Sequence, residues 1–362
     1  MLVTGGAGYI GSHAAKALQR AGYHVVVFDN LIAGHRAAAK FGELVEGNIL
    51  DTAAVRDALR RHKIAAVMHF AAFLDVGESV REPAKYYRNN LVGTLSVLEA
   101  MAAESVRDFV FSSTCATYGE PIETPIAETH PQRPINSYGE SKLAVERALP
   151  HFAVAHGLRY VALRYFNAAG ADPEGEIGED HSPEIHLIPR AIEAATGGRG
   201  LQVFGDDYPT PDGTCLRDYV HVTDLADAHV KGLESIAGGG PSDAYNLGTG
   251  RPQSVREVID TVARVTGREV PWTLAPRRPG DPAAASVARG LFGGRIELCD
   301  KSYEALSGAD ALAVVTEWNE FREPDFAKMQ SLMKAPVVFD GRNIYSPENM
   351  RTLGFTYFSI GR

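Results

Sequence analysis

Cysteine is scarce in this chain of 362 residues, which contains three: Cys115, Cys215 and Cys299. Their number is odd, their spacings are wide and no C-x-x-C pair occurs. Neither a disulfide framework nor a cysteine-based zinc site is therefore indicated. We expect reduced thiols, as in a cytoplasmic protein, and no metal site.

Long apolar segments and clusters of basic residues are also absent. No window approaches the roughly 18 uninterrupted apolar residues of a transmembrane helix. The first six residues, Met-Leu-Val-Thr-Gly-Gly, do not resemble a secretory signal. The net charge is −9 without a long basic run, which argues against nucleic acid or an anionic membrane as the main partner. We expect a cytoplasmic protein that acts on a small molecule.

What the chain does contain is a regular alternation of strand-like and helix-like stretches over residues 1–170. Short apolar runs predict strands at Leu2–Thr4, His24–Asp29, Ala65–Ala71, Phe109–Ser113 and Tyr160–Tyr165. Helical periodicity is found between them, at Ser12–Ala21, Ala53–His62 and Asn90–Glu104. Strands separated by helix-length segments are typical of βαβ units. We predict an α/β fold in which residues 1–170 form a Rossmann-type, doubly wound parallel sheet with helices on both faces.

The pattern changes twice further along the chain. Residues 171–282 begin with a loop rich in glycine, proline and acidic residues and continue with short helices and strands, which predicts a smaller substrate lobe. A new alternation then starts, and its predicted strands are Arg295–Cys299, Ala311–Val315 and Val337–Asp340. We expect residues 283–362 to form a short C-terminal α/β segment.

The first strand runs directly into a glycine-rich turn that precedes a helix. Gly5, Gly8 and Gly11 have the spacing G-x-x-G-x-x-G, a variant of the dinucleotide-binding fingerprint. Glycines let the backbone approach a pyrophosphate, and the helix N-terminus presents free N–H groups to it. Asp29 ends the next strand, where a carboxylate accepts hydrogen bonds from ribose hydroxyls and repels a 2′-phosphate. These features together predict NAD rather than NADP.

A tyrosine and a lysine four residues apart form a candidate acid–base pair. If their segment is helical, Tyr138 and Lys142 lie on one face, although this spacing alone is more often a surface pair. A neighbouring ammonium and a positively charged nicotinamide ring both favour the phenolate, so together they lower the pKa of a phenol from its usual value of about 10. Thr114 follows a predicted strand at its carboxyl end, where parallel sheets bind ligands, so its hydroxyl is placed to hold a reacting oxygen alongside Tyr138.

These three elements, in this order, resemble the extended short-chain dehydrogenase/reductase family, and residues 1–282 are most similar to its UDP-glucose 4-epimerase branch. The resemblance covers the whole stretch and rests on specific motifs. They are His69-Phe70-Ala71-Ala72, Val76-Gly77-Glu78-Ser79, Tyr86-Tyr87-Arg88-Asn89-Asn90, Arg164-Tyr165-Phe166-Asn167, Phe204-Gly205-Asp206-Asp207-Tyr208-Pro209, Arg217-Asp218-Tyr219-Val220-His221, Tyr245-Asn246-Leu247-Gly248 and Arg277-Arg278-Pro279-Gly280-Asp281.

The resemblance implies roles for individual residues. It implies that Tyr138 exchanges the proton of the sugar O4, that Lys142 holds the nicotinamide ribose and that Thr114 bonds the reacting hydroxyl. The implied NAD site consists of Gly5, Gly8, Tyr9, Ile10, Gly11, Asp29, Asn30, Asn48, Ile49, Phe70, Ala71, Ala72, Asn90, Lys142 and Phe166. The implied UDP-sugar site consists of Thr114, Tyr138, Asn167, His186, Leu187, Phe204, Arg217, Arg278 and Asp281.

The implied reaction interconverts UDP-glucose and UDP-galactose through a 4-keto sugar, with NAD as the transient hydride acceptor. A UDP pyrophosphate is a dianion, which suits the guanidinium groups of Arg217 and Arg278. The family also implies a homodimer that is formed by helices within Asn90–Glu104 and Ser141–Ala155.

After residue 282 the sequence departs from this pattern, and residues 289–362 resemble the C-terminal end of the UDP-glucose 6-dehydrogenases. The matching motifs are Tyr303-Glu304-Ala305-Leu306, Gly308-Ala309-Asp310-Ala311-Leu312, Thr316-Glu317-Trp318-Asn319-Glu320-Phe321, Phe339-Asp340-Gly341-Arg342-Asn343 and Leu353-Gly354-Phe355. The nucleophilic cysteine and the dinucleotide turn of that family have no counterpart in this tail. We therefore expect no 6-dehydrogenase activity.

Three interpretations remain open. The first is an active UDP-glucose 4-epimerase, and the second is a related enzyme that acts on a UDP-pentose or a UDP-N-acetylhexosamine. The third is a protein that binds NAD and a UDP-sugar but is inactive, because the end of its substrate lobe is replaced. A nucleotide-sugar dehydratase is disfavoured, since those enzymes carry acidic residues beside the threonine, where this chain has Cys115 and Ala116.

Overall fold

The computed structural model describes residues 1–122, 125–208, 210–277, 303, 306–314, 324–340 and 344–359. The chain divides into two compact units, Met1–Ala288 and Arg289–Arg362. Arg278, Asp281 and the predicted strand Arg295–Cys299 lie outside the described residues. Within the described part of the chain, no helix combines the length and the apolar character that crossing a membrane requires.

A sheet of seven strands forms the centre of the first unit. The strands are β1 (Leu2–Thr4), β2 (Val26–Asp29), β3 (Glu43–Glu46), β4 (Ala66–His69), β5 (Asp108–Ser112), β6 (Arg159–Tyr165) and β11 (Asp243–Leu247). Their order across the sheet is β3-β2-β1-β4-β5-β6-β11, and every neighbouring pair is parallel. The chain reverses its direction of advance between β1 and β4, so the ligand-binding crevice is expected there.

Helices cover both faces of this sheet. They are α1 (Tyr9–Arg20), α2 (Thr52–Arg61), α3 (Val76–Arg81), α4 (Pro83–Tyr86), α5 (Gly93–Ala103), α6 (Ser137–His156) and α8 (Val222–Ala237). Alternate side chains of one strand enter opposite cores: Val26 and Phe28 pack in the cluster that contains α2, α5 and α6 residues. Val27 packs in the cluster that contains α1 and α8 residues. Burial on both faces explains why the central strands read as continuous apolar runs, and it confirms the predicted doubly wound sheet.

The helix that carries Tyr138 is longer than its apolar pattern indicated. It begins after Asn136, whose side-chain oxygen accepts a hydrogen bond from the backbone N–H of Gly139 at 2.8 Å. It ends at Gly157, which has a left-handed φ of 69° that glycine adopts without strain. A second difference concerns the predicted helix Asn90–Glu104, because Tyr87–Val92 forms π-helical turns and the α-helix begins at Gly93.

Beyond the central sheet, the described residues 167–275 of the first unit contribute three pairs of short strands and two further helices. The pairs are β7 (Asn167–Ala169) with β10 (Tyr219–His221), β9 (Leu216–Arg217) with β12 (Gln253–Ser254), and β8 (Leu201–Phe204) with β13 (Trp272–Ala275). The helices are α7 (Leu187–Ala195) and α9 (Val255–Thr266). Their apolar faces pack on each other in a separate core cluster.

The second unit contains a three-stranded parallel sheet in its described residues. The strands, in sheet order, are β14 (Leu312–Val314), β15 (Val337–Asp340) and β16 (Thr356–Ser359), and the helices are α10 (Phe326–Leu332) and α11 (Pro347–Thr352). Val338, Met329 and Met350 lie in the core of this unit. The strand β15 has the bounds that the sequence predicted, whereas β16 was not predicted.

Candidate active site

A cleft of about 1490 Å³ lies in the first unit, at the carboxyl ends of the central strands. The predicted site residues that line it are Gly5, Gly8, Tyr9, Ile10, Gly11, Asp29, Asn30, Ile49, Phe70, Ala71, Ala72, Thr114, Tyr138, Lys142, Phe166, Asn167, His186, Leu187, Phe204 and Arg217. The fold thus brings predicted site residues that lie between Gly5 and Arg217 in the sequence to one cavity.

The glycine turn allows an unusually close approach between two parts of the backbone. Gly5 has a φ of 71°, and a Cβ atom there would lie 2.5 Å from the backbone nitrogen of Ala71. A Cβ on Gly11 would lie 2.2 Å from the carbonyl oxygen of Gly5. Only glycine fits at these two positions. Helix α1 then begins after Gly8 without a side-chain cap, so its amino end faces the cleft with its peptide dipoles unblocked.

Asp29 holds this turn in place. Its Oδ2 atom accepts a hydrogen bond from the backbone N–H of Ala7 at 3.0 Å, and its Oδ1 atom accepts one from Leu31 at 2.8 Å. Each carboxylate oxygen has further acceptor capacity, and the residue lines the cleft. The turn, the open helix end and this carboxylate match the donor and acceptor pattern of a dinucleotide.

Two of the predicted NAD residues are not among the lining residues. Asn48 is exposed and its side-chain oxygen accepts a hydrogen bond from the backbone N–H of Leu50 at 2.9 Å. Asn90 is buried and bonds the backbone N–H and carbonyl of Phe73 at 2.9 Å and 3.0 Å. Both side chains therefore shape loops beside the cleft. Arg278 and Asp281 lie outside the described residues.

Thr114, Tyr138 and Lys142 converge at the end of strand β5. The Thr114 hydroxyl acts on the Tyr138 phenol and lowers its pKa. Lys142 is buried one helical turn further on, and its Nζ atom donates to the Ser112 carbonyl at 2.8 Å. The same Nζ atom lies 4.9 Å from the centroid of the Phe111 ring. The strand end and the helix α6 thus fix the three side chains against each other.

Burial raises the pKa of the Tyr138 phenol well above its usual value, Tyr165 adds to this rise, and Thr114 opposes it. Lys142 is not among the groups that lower this pKa, so the expected lowering depends on the charge of the nicotinamide ring. Burial also lowers the pKa of Lys142 to about 7, against an opposing effect of Glu146. The reason is that both groups lose water in the same apolar pocket, which disfavours the charged form of each. The protein alone therefore holds Tyr138 in its protonated form.

A buried ion pair supports the catalytic helix, and sequence reasoning did not find it. The Arg164 guanidinium donates to the Glu146 carboxylate, with a shortest distance of 2.6 Å, and both side chains are more than nine-tenths buried. Arg164 also donates to the Tyr118 hydroxyl at 2.8 Å, which in turn donates to Asn246 at 2.7 Å. Arg164 stands first in one of the quoted motifs, but its partner could not be read from the sequence.

The substrate-lobe side of the cleft contributes Phe204, Arg217, His186 and Leu187. The positive charge of Arg217 acts on the Cys115 thiol. Burial raises the pKa of this thiol to about 11, and Arg217 has the largest opposing effect. Cys115 directly follows Thr114 in the chain. A guanidinium therefore lies close to the reacting groups, where it suits an anionic ligand.

Several lining residues were not among the predicted site residues, and they include Tyr165, Glu179, His181 and Glu184. Tyr165 donates to or accepts from the Ser112 hydroxyl at 2.7 Å. The other three belong to the run Glu-Asp-His-Ser-Pro-Glu-Ile-His at residues 179–186. Its regular recurrence of glutamate and histidine was a signal that could have been used.

A parallel sheet with a glycine turn at its switch point, with a threonine at a strand end and a tyrosine and a lysine on the adjacent helix, defines a dinucleotide-handling enzyme of the Rossmann class. Residues 1–248 match the profile of the NAD dependent epimerase/dehydratase family. The chain belongs to this family, which confirms the predicted resemblance, the epimerase class and the dependence on NAD.

Relatives with solved structures or curated names cover most of the chain. The UDP-glucose 4-epimerase of Rhizobium leguminosarum bv. trifolii is 54% identical over 282 residues, which are 78% of this chain and 86% of the relative. The structure of UDP-glucose 4-epimerase from Brucella ovis in complex with NAD is 54% identical, with a TM-score of 0.76 over 81% of this chain and 91% of that one. The enzyme from Bifidobacterium longum, in complex with NAD+ and UDP, is 40% identical, with a TM-score of 0.74 over 82% of this chain and 93% of that one.

The C-terminal part of the chain matches a second protein family. Residues 277–347 match the UDP binding domain of the UDP-glucose/GDP-mannose dehydrogenase family. This match confirms the resemblance that the sequence motifs predicted for the tail.

Proposed function

We propose that this chain interconverts UDP-glucose and UDP-galactose by epimerisation at C4. The observation that carries the proposal is the set of buried Thr114, half-buried Tyr138 and buried Lys142 in the same cleft as the glycine turn. Relatives with the name UDP-glucose 4-epimerase, about half identical to this chain, support the choice of sugar.

The cleft fits NAD on structural grounds. The close approach at Gly5 and Gly11 gives a pyrophosphate room that any Cβ atom would fill. The amino end of α1 supplies N–H groups, and Asp29 supplies acceptors for ribose hydroxyls. When bound, NAD supplies the hydride acceptor that oxidation at the sugar C4 requires.

The residues of this chain handle the proton of the sugar O4. Tyr138 takes it and later returns it, and Thr114 holds both the phenol and the reacting hydroxyl in position. Lys142 is fixed by the Ser112 carbonyl, which leaves two of its three N–H groups for a ribose. Because burial keeps the phenol protonated in the protein alone, positive charge brought into the pocket by the ligands must help to lower its pKa.

The grip on the UDP part is assigned to the other side of the cleft. Arg217 faces an anionic group, while Phe204 and Leu187 offer apolar contacts. Asn167 begins β7, next to the catalytic side chains. Arg278 and Asp281 belong to the same proposal on the strength of their motif. A firm hold on the UDP part leaves the hexose free to turn over and present its opposite face.

Conversion of UDP-galactose to UDP-glucose without added NAD tests this proposal. We expect turnover by the protein as purified, and Tyr138→Phe should reduce the rate about 10²–10⁴-fold because general acid–base catalysis is lost. Tyr160→Phe, which alters a tyrosine away from the cleft lining, should leave the rate unchanged. A folded sample that shows no conversion would contradict the proposal.

One observation favours the alternative that the chain binds NAD and a UDP-sugar without converting the sugar. The residues after 288 form a separate unit whose sequence matches another family. Retention of NAD by a folded protein that converts neither UDP-galactose, UDP-N-acetylgalactosamine nor UDP-xylose would establish that alternative. Turnover of one of the latter two sugars, in preference to UDP-galactose, would identify a related epimerase.

The assembly and the location are part of the same proposal. We infer a homodimer because apolar side chains are exposed on the α5 and α6 side of the unit, with Val154 90% and Val92 50% exposed. A second copy of the chain would cover them. We also infer a cytoplasmic enzyme from the scarcity of cysteine, with three residues at wide spacings in the sequence.

A further inference from the structure

Four side chains with metal-ligating atoms converge in the segment between β7 and α7. Glu179, His181, Glu184 and His186 each offer one donor atom, and these four atoms lie within 4.8 Å of one another. All four residues are partly buried and line the cleft. The sequence was expected to form no metal site because it contains no C-x-x-C pair, and these four residues include no cysteine.

The distances between the donor atoms suit a tetrahedral ion. The Nδ1 atom of His181 lies 3.2 Å from Oε1 of Glu179 and 3.6 Å from Oε2 of Glu184. The Nδ1 atom of His186 contacts Oε1 of Glu179 and lies 4.0 Å from Oε1 of Glu184. Zinc bonds nitrogen and oxygen ligands at about 2.0–2.1 Å, so its tetrahedral ligands are separated by about 3.3 Å. The three distances of 3.2, 3.6 and 4.0 Å lie around this value, whereas His186 Nδ1 and Glu179 Oε1 are in direct hydrogen-bond contact.

The buried nitrogen of His181 provides an independent sign. Its Nδ1 atom is inaccessible to solvent and has no hydrogen-bond partner of acceptable geometry within the described residues, although the Glu179 oxygen is near. An unsatisfied buried nitrogen is costly in an ordinary hydrogen-bonded pair. Proximity without a hydrogen bond is instead the arrangement of two ligands of one ion.

The charge balance of the cluster also favours a cation. In the part of the chain that the structure describes, neither Glu179 nor Glu184 pairs with a lysine or arginine. A neighbouring acidic cluster shows the contrast, since Asp172, Glu174 and Glu176 surround the Nζ atom of Lys16 at 2.7–2.8 Å. That cluster already holds its cation. The Glu179 carboxylate instead contacts imidazoles, and the Glu184 carboxylate contacts imidazoles and the backbone N–H groups of Ile185 and His186.

We propose that Glu179, His181, Glu184 and His186 bind one divalent transition-metal ion of the zinc type. Two imidazoles and two carboxylates form a donor set that such ions accept. The ion would join Glu179, in the middle of the segment between β7 and α7, to His186, which directly precedes that helix. It would thereby fix the loop that carries His186 and Leu187 along the cleft, independently of the proposed reaction.

Zinc retention measures this site directly. The full-length protein is incubated with zinc, passed through gel filtration in a weak competing chelator, and its metal content is determined by mass spectrometry. We expect about one zinc ion per chain and a rise in the melting temperature of several degrees with excess zinc. His181→Ala should lose both effects, whereas the control His151→Ala, which removes an exposed histidine outside the cluster, should retain both. Equal retention by the protein and His181→Ala, or no retention by either, overturns the proposal.

A second measurement needs no variant and therefore does not depend on whether His181→Ala folds. Cobalt in a tetrahedral site of nitrogen and oxygen ligands absorbs visible light far more strongly than octahedral cobalt. We expect the unaltered protein to develop this intense band on addition of Co²⁺, and zinc to abolish it by displacement. A weak, octahedral spectrum would show that the four side chains form only imidazolium–carboxylate ion pairs, which contradicts the proposed site.

Discussion

Two strands of this chain have the same sequence and different surroundings. β2 and β15 both read Val-Val-Phe-Asp, at residues 26–29 and 337–340. In the first unit all four residues are buried, and Phe28 is 1% exposed. In the second unit Phe339 is 48% exposed and stacks on Phe358, with ring centroids 4.9 Å apart. Local sequence thus determines that a strand forms, and the neighbouring elements determine what each side chain does.

The terminal aspartates show the same difference at the level of chemistry. Asp29 accepts one hydrogen bond from the backbone N–H of Ala7 in the glycine turn and one from Leu31, which follows its own strand. It therefore organises a ligand site. Asp340 accepts hydrogen bonds from the Tyr345 backbone at 3.0 Å and from the Tyr357 hydroxyl at 2.7 Å. It is 1% exposed, and these bonds serve the packing of its own unit. A strand that ends in aspartate is therefore not evidence of a ligand site by itself.

Substitution of Phe28 and Phe339 should have the largest effects and tests the difference in burial between the two strands. Phe28→Ala should lower the free energy of unfolding of the first unit by about 3–5 kcal/mol, because it leaves a cavity between strand and helices. Phe339→Ala should lower that of the second unit by about 1 kcal/mol, since half of its surface already meets water. Urea titration with hydrogen exchange, resolved to peptides of each unit, measures both. Similar losses for the two variants would show that the burial of these strands is not as described.

The ion pairs of the two units provide the next test. Arg164→Ala should destabilise the first unit by about 3–5 kcal/mol, because it leaves the Glu146 carboxylate buried without its partner. Lys334→Ala removes the exposed pair with Asp310, whose atoms are 3.4 Å apart, and should have no measurable effect. The same urea titration provides the readout. An Arg164→Ala protein of unchanged stability would mean that water reaches Glu146.

The aspartate pair sharpens the comparison for ligand binding. Asp29→Asn should weaken NAD binding about tenfold, because a charged acceptor is replaced by a neutral one. Asp340→Asn should leave NAD affinity unchanged and affect only the stability of its own unit. Fluorescence titration with NAD measures the first effect. An equal loss of NAD affinity in Asp340→Asn would contradict the separate roles of the two strands.

The last expected effect concerns pH. Burial lowers the pKa of Lys142 to about 7 in the folded protein, below its value of about 10.4 in the unfolded chain. Between these values the unfolded state binds more protons, so stability should rise with pH from about 7 to 10. Lys142→Met should flatten this rise, whereas Lys334→Met should not. Unfolding free energies from urea titrations at several pH values give the slopes, and parallel slopes for the protein and Lys142→Met would refute a buried lysine.

The central strands could be predicted because they are covered on both faces and therefore read as unbroken apolar runs. The strands that escaped prediction lie at sheet edges. β3 has the sequence Glu-Leu-Val-Glu and β11 the sequence Asp-Ala-Tyr-Asn-Leu, and both carry exposed positions. β16 lies at the edge of the second sheet and alternates exposed and half-buried residues. A strand with one open side mixes polar and apolar residues, and its short pattern does not stand out from a loop.

The candidate site divides in the same way. Gly5, Tyr138 and Lys142 could be found because their chemistry requires fixed spacings along one segment. The pairing of Arg164 with Glu146 could not, because 18 residues and a strand–helix contact separate the two. The effect of burial on the pKa of Tyr138 could not be predicted for the same reason, since only the assembled pocket creates it.

The bond from Ala7 to Asp29 has a consequence for the order in which the molecule assembles. The glycine turn lies on β1 and its anchor on β2, so the turn cannot adopt its shape until these two strands have paired. Glycine is costly to order, which makes the isolated turn a flexible loop. Any fluctuation that separates β2 from β1 therefore dismantles the phosphate cradle, and slow dissociation of a bound dinucleotide would report how rarely that strand pair opens.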